Sequence, residues 1–64
     1  MRETELWRRL EAQLGEDYVR SWASSQVMAD LGGRTVTEAL DDGLEIKSIW
    51  RACWAFLELP DRER

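Results

Sequence analysis

The chain has 64 residues, of which 44% are hydrophobic and 34% charged, a composition that is typical of one small soluble globular domain and excludes a disordered chain. Its net charge of −4 is divided evenly between the two halves, so no basic region marks a general nucleic-acid or membrane binder. One cysteine and no histidine exclude an internal disulfide and a conventional zinc site, and no apolar run approaches the ~20 residues that span a bilayer.

The first predicted helix has Thr4 as its N-cap and ends at Gly15. An acidic residue in its first turn, Glu5, suits the helix dipole. The apolar residues lie within an arc of about 100° when each residue turns by about 100°, and these residues are Leu6, Trp7, Leu10 and Leu14. The sequence therefore predicts an amphipathic helix with one buried face.

The second predicted helix runs from Glu16 to Leu31 and ends at Gly32-Gly33. Its buried face is predicted to be a ladder of residues spaced four apart, which consists of Val19, Ala23, Val27 and Leu31, with Tyr18 and Trp22 beside it. The segment Ser24-Ser25-Gln26 has low helix propensity, so it is the weakest part of this helix.

A capping box begins the short third helix, because Thr35 stands at the N-cap position and Glu38 follows three residues later. This helix is predicted from Val36 to Asp42, and Gly43 ends it.

The fourth predicted helix runs from Glu45 to Glu58 and has the clearest amphipathic pattern in the chain. Its apolar face is formed by Ile46, Ile49, Trp50, Cys53, Trp54, Phe56 and Leu57. Pro60 closes the segment, because a helix rarely continues through the residue before a proline. Residues 61–64 are predicted to be a charged, frayed tail.

Together these elements predict an all-α fold without strands. We expect a small single-domain helical bundle over residues 1–64, with three longer helices, one short helix and a helix-turn-helix-like C-terminal half. Four tryptophans are spread over three of the helices, namely Trp7, Trp22, Trp50 and Trp54. Each aromatic ring can bury ~150–250 Å², and a chain this short otherwise builds only a small core. A tryptophan-rich core is therefore expected.

Several residues along the chain match the pattern of a known family. The combination of Leu31-Gly32-Gly33-Arg34-Thr35 with Trp50-Arg51-Ala52 is specific, and further matching positions are Met1-Arg2, Thr4, Trp7, Gly15, Tyr18, Ser21-Trp22-Ala23, Glu38-Ala39-Leu40, Gly43, Lys47 and Pro60. In these residues the chain resembles a family of short actinobacterial proteins known only as a domain of unknown function, family 3046. The resemblance implies a small helical cytoplasmic protein without an assigned activity, often encoded beside the recombinase of homologous recombination. It carries over no catalytic or binding residues.

The chain offers few groups for catalysis. The adjacent carboxylates of Asp41-Asp42 and of Glu16-Asp17 diverge on a helix or turn, so we expect them to be solvated surface groups. Cys53 lies on the apolar face of the last helix, where a thiol packs as a small hydrophobe. Gly32-Gly33-Arg34-Thr35 lacks the spacing of a phosphate loop, although Arg34 is retained as a candidate anion contact. We expect a protein that is not an enzyme and that has no cofactor and no metal.

Residues 35–54 also fit a helix-turn-helix unit, because a short helix, a turn with Gly43 and a second helix follow one another. In such a unit Lys47 and Arg51 would contact bases or phosphates. An acidic rim at the same end opposes phosphate binding, and it is formed by Glu38, Asp41, Asp42 and Glu45.

An interaction surface is the preferred hypothesis, because Trp54 lies at the edge of the apolar face, next to Lys47 on the polar side. Exposed apolar surface with Trp and Arg is typical of protein interfaces. The charged N-terminal segment lacks the apolar stretch of a signal peptide, so we expect a cytoplasmic interaction or regulatory module that binds a protein partner or itself and enters no membrane. The alternative is a weak nucleic-acid-binding protein that uses residues 35–54. The candidate partner-contact residues are Arg34, Lys47, Arg51 and Trp54.

Overall fold

The computed structural model describes residues 1–64. Four α-helices follow one another, namely α1 (Glu3–Leu14), α2 (Val19–Ser25), α3 (Val36–Asp41) and α4 (Ile46–Phe56). Two 3₁₀ turns complete the structure, Ala29–Leu31 after α2 and Asp61–Glu63 after α4. No strand is present, and a single isolated antiparallel bridge joins Met28 to Arg34. The prediction of an all-α fold is confirmed. None of the helices combines the length and the apolar character that a membrane span requires.

Helix α1 begins earlier than the sequence predicts. Arg2, in an extended conformation, is the N-cap residue, and its carbonyl accepts hydrogen bonds from the backbone N–H groups of Glu5 and Leu6. Thr4 therefore lies inside the helix, and no side chain caps it, so the predicted cap is wrong. The buried face is as expected at Leu6 and Leu10, while Trp7 and Leu14 are half-buried.

The long second helix is not present as predicted. Residues 16–18 form a turn, α2 ends at Ser25, and the chain is extended at Met28. The hydroxyl groups of Ser24 and Ser25 donate hydrogen bonds to carbonyls one turn back, which is the competition with backbone hydrogen bonding that weakens helices. Because the helix stops, Val27 leaves the predicted buried ladder and is 54% exposed, and Met28 is buried in its place.

A tight loop connects α2 to α3 and is closed by hydrogen bonds to Met28. The Met28 N–H donates to the carbonyl of Arg34 and the Met28 carbonyl accepts from Gly33, each at 3.1 Å. Gly32 and Gly33 both adopt positive φ angles, of 71° and 78°. The Arg34 guanidinium donates through Nη1 to the Leu31 carbonyl at 3.0 Å, so the loop is held on two sides.

Helix α3 starts as the sequence predicts. The Glu38 N–H donates to Thr35 Oγ1 at 3.1 Å, and the Thr35 N–H donates to Glu38 Oε1 at 2.9 Å. Both bonds of the capping box are therefore present. At the other end, the N–H groups of Gly43 and Leu44 donate to carbonyls of the last turn, which is the Schellman arrangement.

Helix α4 forms within the predicted bounds and packs against α1 and α3. Its buried residues are Ile49, Trp50, Ala52 and Cys53. Trp54 is half-buried, whereas Phe56 is 46% exposed despite its place on the predicted apolar face. After the helix, Glu58 adopts a φ of 54°, so this end is capped in the left-handed conformation by a residue other than glycine.

The charged C-terminal segment is folded back onto the helices rather than frayed. The indole N–H of Trp50 donates to the Glu63 carbonyl at 3.1 Å, and that of Trp54 donates to the Pro60 carbonyl at 2.9 Å. From α1, Gln13 donates to the Glu63 carboxylate at 3.2 Å. The expectation of a frayed tail over residues 61–64 is therefore wrong for this structure, because tryptophans of α4 hold the segment.

We expect the substitution Trp50→Ala to unfold the protein or to cost ~3–5 kcal/mol, the range for a large buried aromatic residue. Trp50 is almost completely buried, and the substitution also removes the hydrogen bond to Glu63. Trp54→Ala is the matched variant on the same helix and should cost much less, because Trp54 is half-buried. Urea unfolding monitored by circular dichroism measures both, and equal losses would show that the two rings contribute alike to the core.

A second pair of variants tests the loop between α2 and α3. Alanine at either glycine incurs about 1–2 kcal/mol for the left-handed backbone. A Cβ at Gly32 would also lie 2.7 Å from Arg34 Nη1, whereas a Cβ at Gly33 meets nothing within 4 Å. Gly32→Ala should therefore be less stable than Gly33→Ala by about 1 kcal/mol, the worth of one hydrogen bond. The difference in stability between the two variants should vanish when each is combined with Arg34→Ala. If the difference persists, the contact with Arg34 is not its cause.

Candidate functional site

The predicted contact residues do not form one cluster. Arg34 lies in the loop before α3, while Lys47, Arg51 and Trp54 belong to α4. Of these four, the structure brings Arg51 and Trp54 together at one cleft. Lys47 is exposed one turn earlier on α4 and does not border that cleft.

Arg34 is engaged within the protein. Its Nε atom forms an ion pair with Asp42 Oδ2 at 2.7 Å, and its Nη1 atom donates to Leu31. These contacts fasten the loop between α2 and α3 to the last turn of α3. An external anion would have to compete with the Asp42 carboxylate, so the geometry favours a structural role for Arg34 over anion binding.

The cleft at Arg51 and Trp54 is basic and aromatic, and we call it the basic cleft. Its other lining residues are Ala55 and Arg64. The cleft is open to solvent and has a volume of about 390 Å³. The guanidinium carbon of Arg64 lies 4.9 Å from the centroid of the Trp54 ring, which is a cation–π contact. The Arg51 side chain is exposed, and it makes no hydrogen bond or ion pair within the chain.

A second cleft begins on the other side of Ala55, and we call it the apolar cleft. It encloses about 230 Å³ and is lined by Met28, Ala29, Asp30, Ala52, Ala55 and Phe56. The Phe56 ring is held by a tilted contact with Trp22, with ring centroids 6.2 Å apart. The two clefts share Ala55, so together they form one continuous area, the α4 surface.

A third cleft lies between α1, α2 and α3 and is mainly polar, with Trp7, Arg20 and Asp41 among its lining residues. The guanidinium of Arg20 covers the Trp7 ring at 4.9 Å, and the Trp7 indole N–H faces the Glu3 carboxylate at 3.4 Å. Arg20 and Glu3 are therefore already placed against Trp7, whereas the Asp41 carboxylate has no hydrogen-bond or ion-pair partner in the chain.

Arg64 and the apolar cleft are the parts of the site that the sequence did not predict. Arg64 was part of the predicted frayed tail, and contacts of Trp50 and Trp54 with the C-terminal segment bring it back to α4. The apolar cleft depends on the early end of α2, which places Met28 opposite Phe56. Pro60 was the one available signal, because a proline after a helix marks a change of chain direction.

The elements of the predicted helix-turn-helix unit occur in the expected order, as α3, a turn at Gly43 and α4. All four residues of the acidic rim are exposed, namely Glu38, Asp41, Asp42 and Glu45. Two of them also have internal contacts, since Glu38 completes the capping box and Asp42 pairs with Arg34. Lys47 and Arg51 lie on exposed positions one helical turn apart on α4.

The groups that could carry chemistry are dispersed or buried. No three Cys, Asp or Glu side chains are grouped to hold a metal ion. Cys53 is completely buried, and burial raises the pKa of its thiol to about 12. A thiol with a raised pKa is a poor nucleophile, because the thiolate is the reactive form. The prediction that Cys53 packs in the core is confirmed.

The raised pKa of Cys53 predicts a specific loss of stability at alkaline pH. Above the ordinary thiol pKa of 9.0, the unfolded chain releases the proton while the folded protein retains it to about 12. Unfolding therefore becomes more favourable as pH rises through this window, by up to about 1.4 kcal/mol per pH unit. The free energy of unfolding, measured in urea at several pH values, should fall more steeply with pH for the wild-type protein than for Cys53→Ala across this range. Parallel pH profiles of the two proteins would contradict the raised pKa of Cys53.

Comparison with known proteins adds a family but no function. No curated protein and no solved structure matches the chain significantly. One family model, described as a protein of unknown function (DUF3046), matches residues 1–62. This match spans all four helices and two of the three residues of the C-terminal turn. The chain therefore belongs to the DUF3046 family of proteins of unknown function.

Proposed function

We propose that this protein is a non-enzymatic interaction module, which binds a segment of another protein on the α4 surface. The observation that carries the proposal is the position of Phe56, which is 46% exposed beside the apolar cleft. Helix α4 thus presents apolar groups on two sides, one in the core and one at the surface. Exposed apolar groups that border a cleft are typical of interaction sites.

The rigidity of this surface supports the proposal. Phe56 is held against Trp22, and Trp54 is fixed by its hydrogen bond to Pro60. Side chains that are already ordered before binding lose less conformational entropy when a partner arrives. A preformed cleft can therefore bind with useful affinity even though it is small. We take the protein to act in the cytoplasm, where the Cys53 thiol stays reduced.

Nucleic-acid binding is the second candidate function. It is favoured by Lys47 and Arg51, which are exposed one turn apart on α4 and have no ion-pair partner in the chain. It is disfavoured by the exposed acidic rim and the net charge of −4, because phosphate contacts supply most of such affinity.

The experiment that tests the proposal compares two single variants, each with an alanine replaced by glutamate. Ala55→Glu introduces a charge where the two clefts meet, and Ala12→Glu places the same charge at an exposed position on α1. Peptides are selected from a random display library on the wild-type protein, and dissociation constants are measured by fluorescence polarisation. Ala55→Glu should weaken the selected peptides at least about tenfold, equal to about 1.4 kcal/mol, whereas Ala12→Glu should leave affinity unchanged.

Two results would contradict the proposal. One is a selection that yields no binding peptide. The other is a set of peptides that bind both variants and the wild type equally, since the α4 surface would then not be the binding site. Thermal unfolding of both variants serves as the control, because loss of binding is informative only where the fold is retained.

A further inference from the structure

We propose that the α4 surface selects an acidic partner segment, in which one apolar side chain enters the apolar cleft and neighbouring carboxylates bind Arg51 and Arg64. This inference rests on the proposed function, because it specifies the partner of the same surface. It is drawn from the arrangement of the two clefts, which differ in charge and share Ala55.

Arg51 provides the first carboxylate site. Its guanidinium has no partner within the chain, and it borders the basic cleft. A guanidinium presents a planar set of donors that matches a carboxylate in a bidentate geometry. An exposed arginine without an internal partner retains all of these donors for a ligand.

Arg64 provides the second carboxylate site. Its guanidinium lies against the Trp54 ring, so its position is restricted before any partner binds. Its ion pair with Asp61 has side chains that are 58% and 87% exposed, and an ion pair with this exposure contributes little. A partner carboxylate can therefore replace Asp61 at low cost.

The apolar cleft fits one large apolar side chain. Its volume is about 230 Å³, and an apolar cavity of about 150 Å³ already holds benzene. Asp30 is the charged residue on its border, and it would repel a carboxylate placed there. The acidic residues of the partner are therefore directed toward the basic cleft, on the other side of Ala55.

The position of Ala55 on the border of both clefts also restricts the distance between the apolar anchor and the carboxylates of the partner. Because one exposed alanine borders both clefts, the apolar anchor and the carboxylates must lie close together in the partner. A short segment with a phenylalanine or leucine and adjacent glutamates or aspartates meets this requirement.

A second copy of the chain fits this surface less well. In a two-fold dimer the same patch meets itself, so Arg51 and Arg64 of both copies would enter one interface. Nucleic acid carries phosphates along its whole length, and Asp30 on the border of the apolar cleft would repel the phosphates placed there.

The test uses synthetic peptides and charge reversal. The probe is a short peptide with one phenylalanine flanked by glutamates, and its counterpart has lysines in place of the glutamates. Arg51→Glu and the double variant Arg51→Glu/Arg64→Glu are compared with Arg62→Glu. Arg62 is exposed in the C-terminal turn and borders neither cleft, so Arg62→Glu is the matched control for Arg51→Glu.

We expect the glutamate peptide to bind wild type at least tenfold more tightly than the lysine peptide, and to lose this advantage when salt is raised. Arg51→Glu should weaken the glutamate peptide about tenfold, whereas Arg62→Glu should change it less than about twofold. The double variant should bind the lysine peptide more tightly than the wild type does. This rescue supports the inference, because a damaged fold would not gain affinity.

The outcomes separate this inference from the proposed function. Equal binding of both peptides, with library peptides still sensitive to Ala55→Glu, would overturn the acidic preference and leave the interaction module standing. If neither synthetic peptide binds and the library selection yields no binding peptide, both proposals are overturned. A short DNA duplex or single strand that displaces the glutamate peptide at physiological salt would identify nucleic acid as the partner class instead. A dimer by light scattering that Ala55→Glu abolishes would identify a second copy.

Discussion

The indole ring of Trp50 sets the constraint on which the rest of the structure depends. The ring is almost completely buried, and its one polar atom donates to the Glu63 carbonyl at 3.1 Å. A buried donor without an acceptor is costly, so the chain after α4 must return to provide one. The guanidinium of Arg9 lies over the same ring at 5.5 Å. Helix α1, helix α4 and the C-terminal turn therefore meet at one side chain.

The same return of the chain creates the basic cleft. It gives the Trp54 indole N–H its acceptor at Pro60 and places Arg64 on the Trp54 ring. Because this return of the chain was not predicted, only the part of the basic cleft that lies on α4 could be predicted from the sequence. The edge position of Trp54 and the exposure of Arg51 follow from the spacing of residues within one helix, whereas Arg64 reaches the site through contacts across a turn. Arg34 looked like a free cation in the sequence, because its Asp42 partner is eight residues away on another element.

Local signals predicted most of the fold. The capping box at Thr35, the stop at Gly43 and the amphipathic pattern of α4 depend on residues within a few positions of one another, and all three are present in the structure. The end of α2 was only partly predictable. The sequence marks Ser24-Ser25-Gln26 as a segment of low helix propensity, but the hydrophobic ladder with a spacing of four continues past it. The hydroxyl groups of Ser24 and Ser25 bond back to carbonyls of the helix, and Met28 pairs across the loop with Arg34, so these contacts overrode the ladder.

The bond between Gln13 and Glu63 joins positions 50 residues apart, and this separation has a consequence for synthesis in the cell. At about 5–20 residues per second, the ribosome needs roughly 3–10 seconds to make the chain between them. For most of that interval α1 lacks its partner on α4, and a helix as short as α1 is not stable by itself. Docking of the first helix onto α4 must therefore wait until the C-terminal half of the chain has been made.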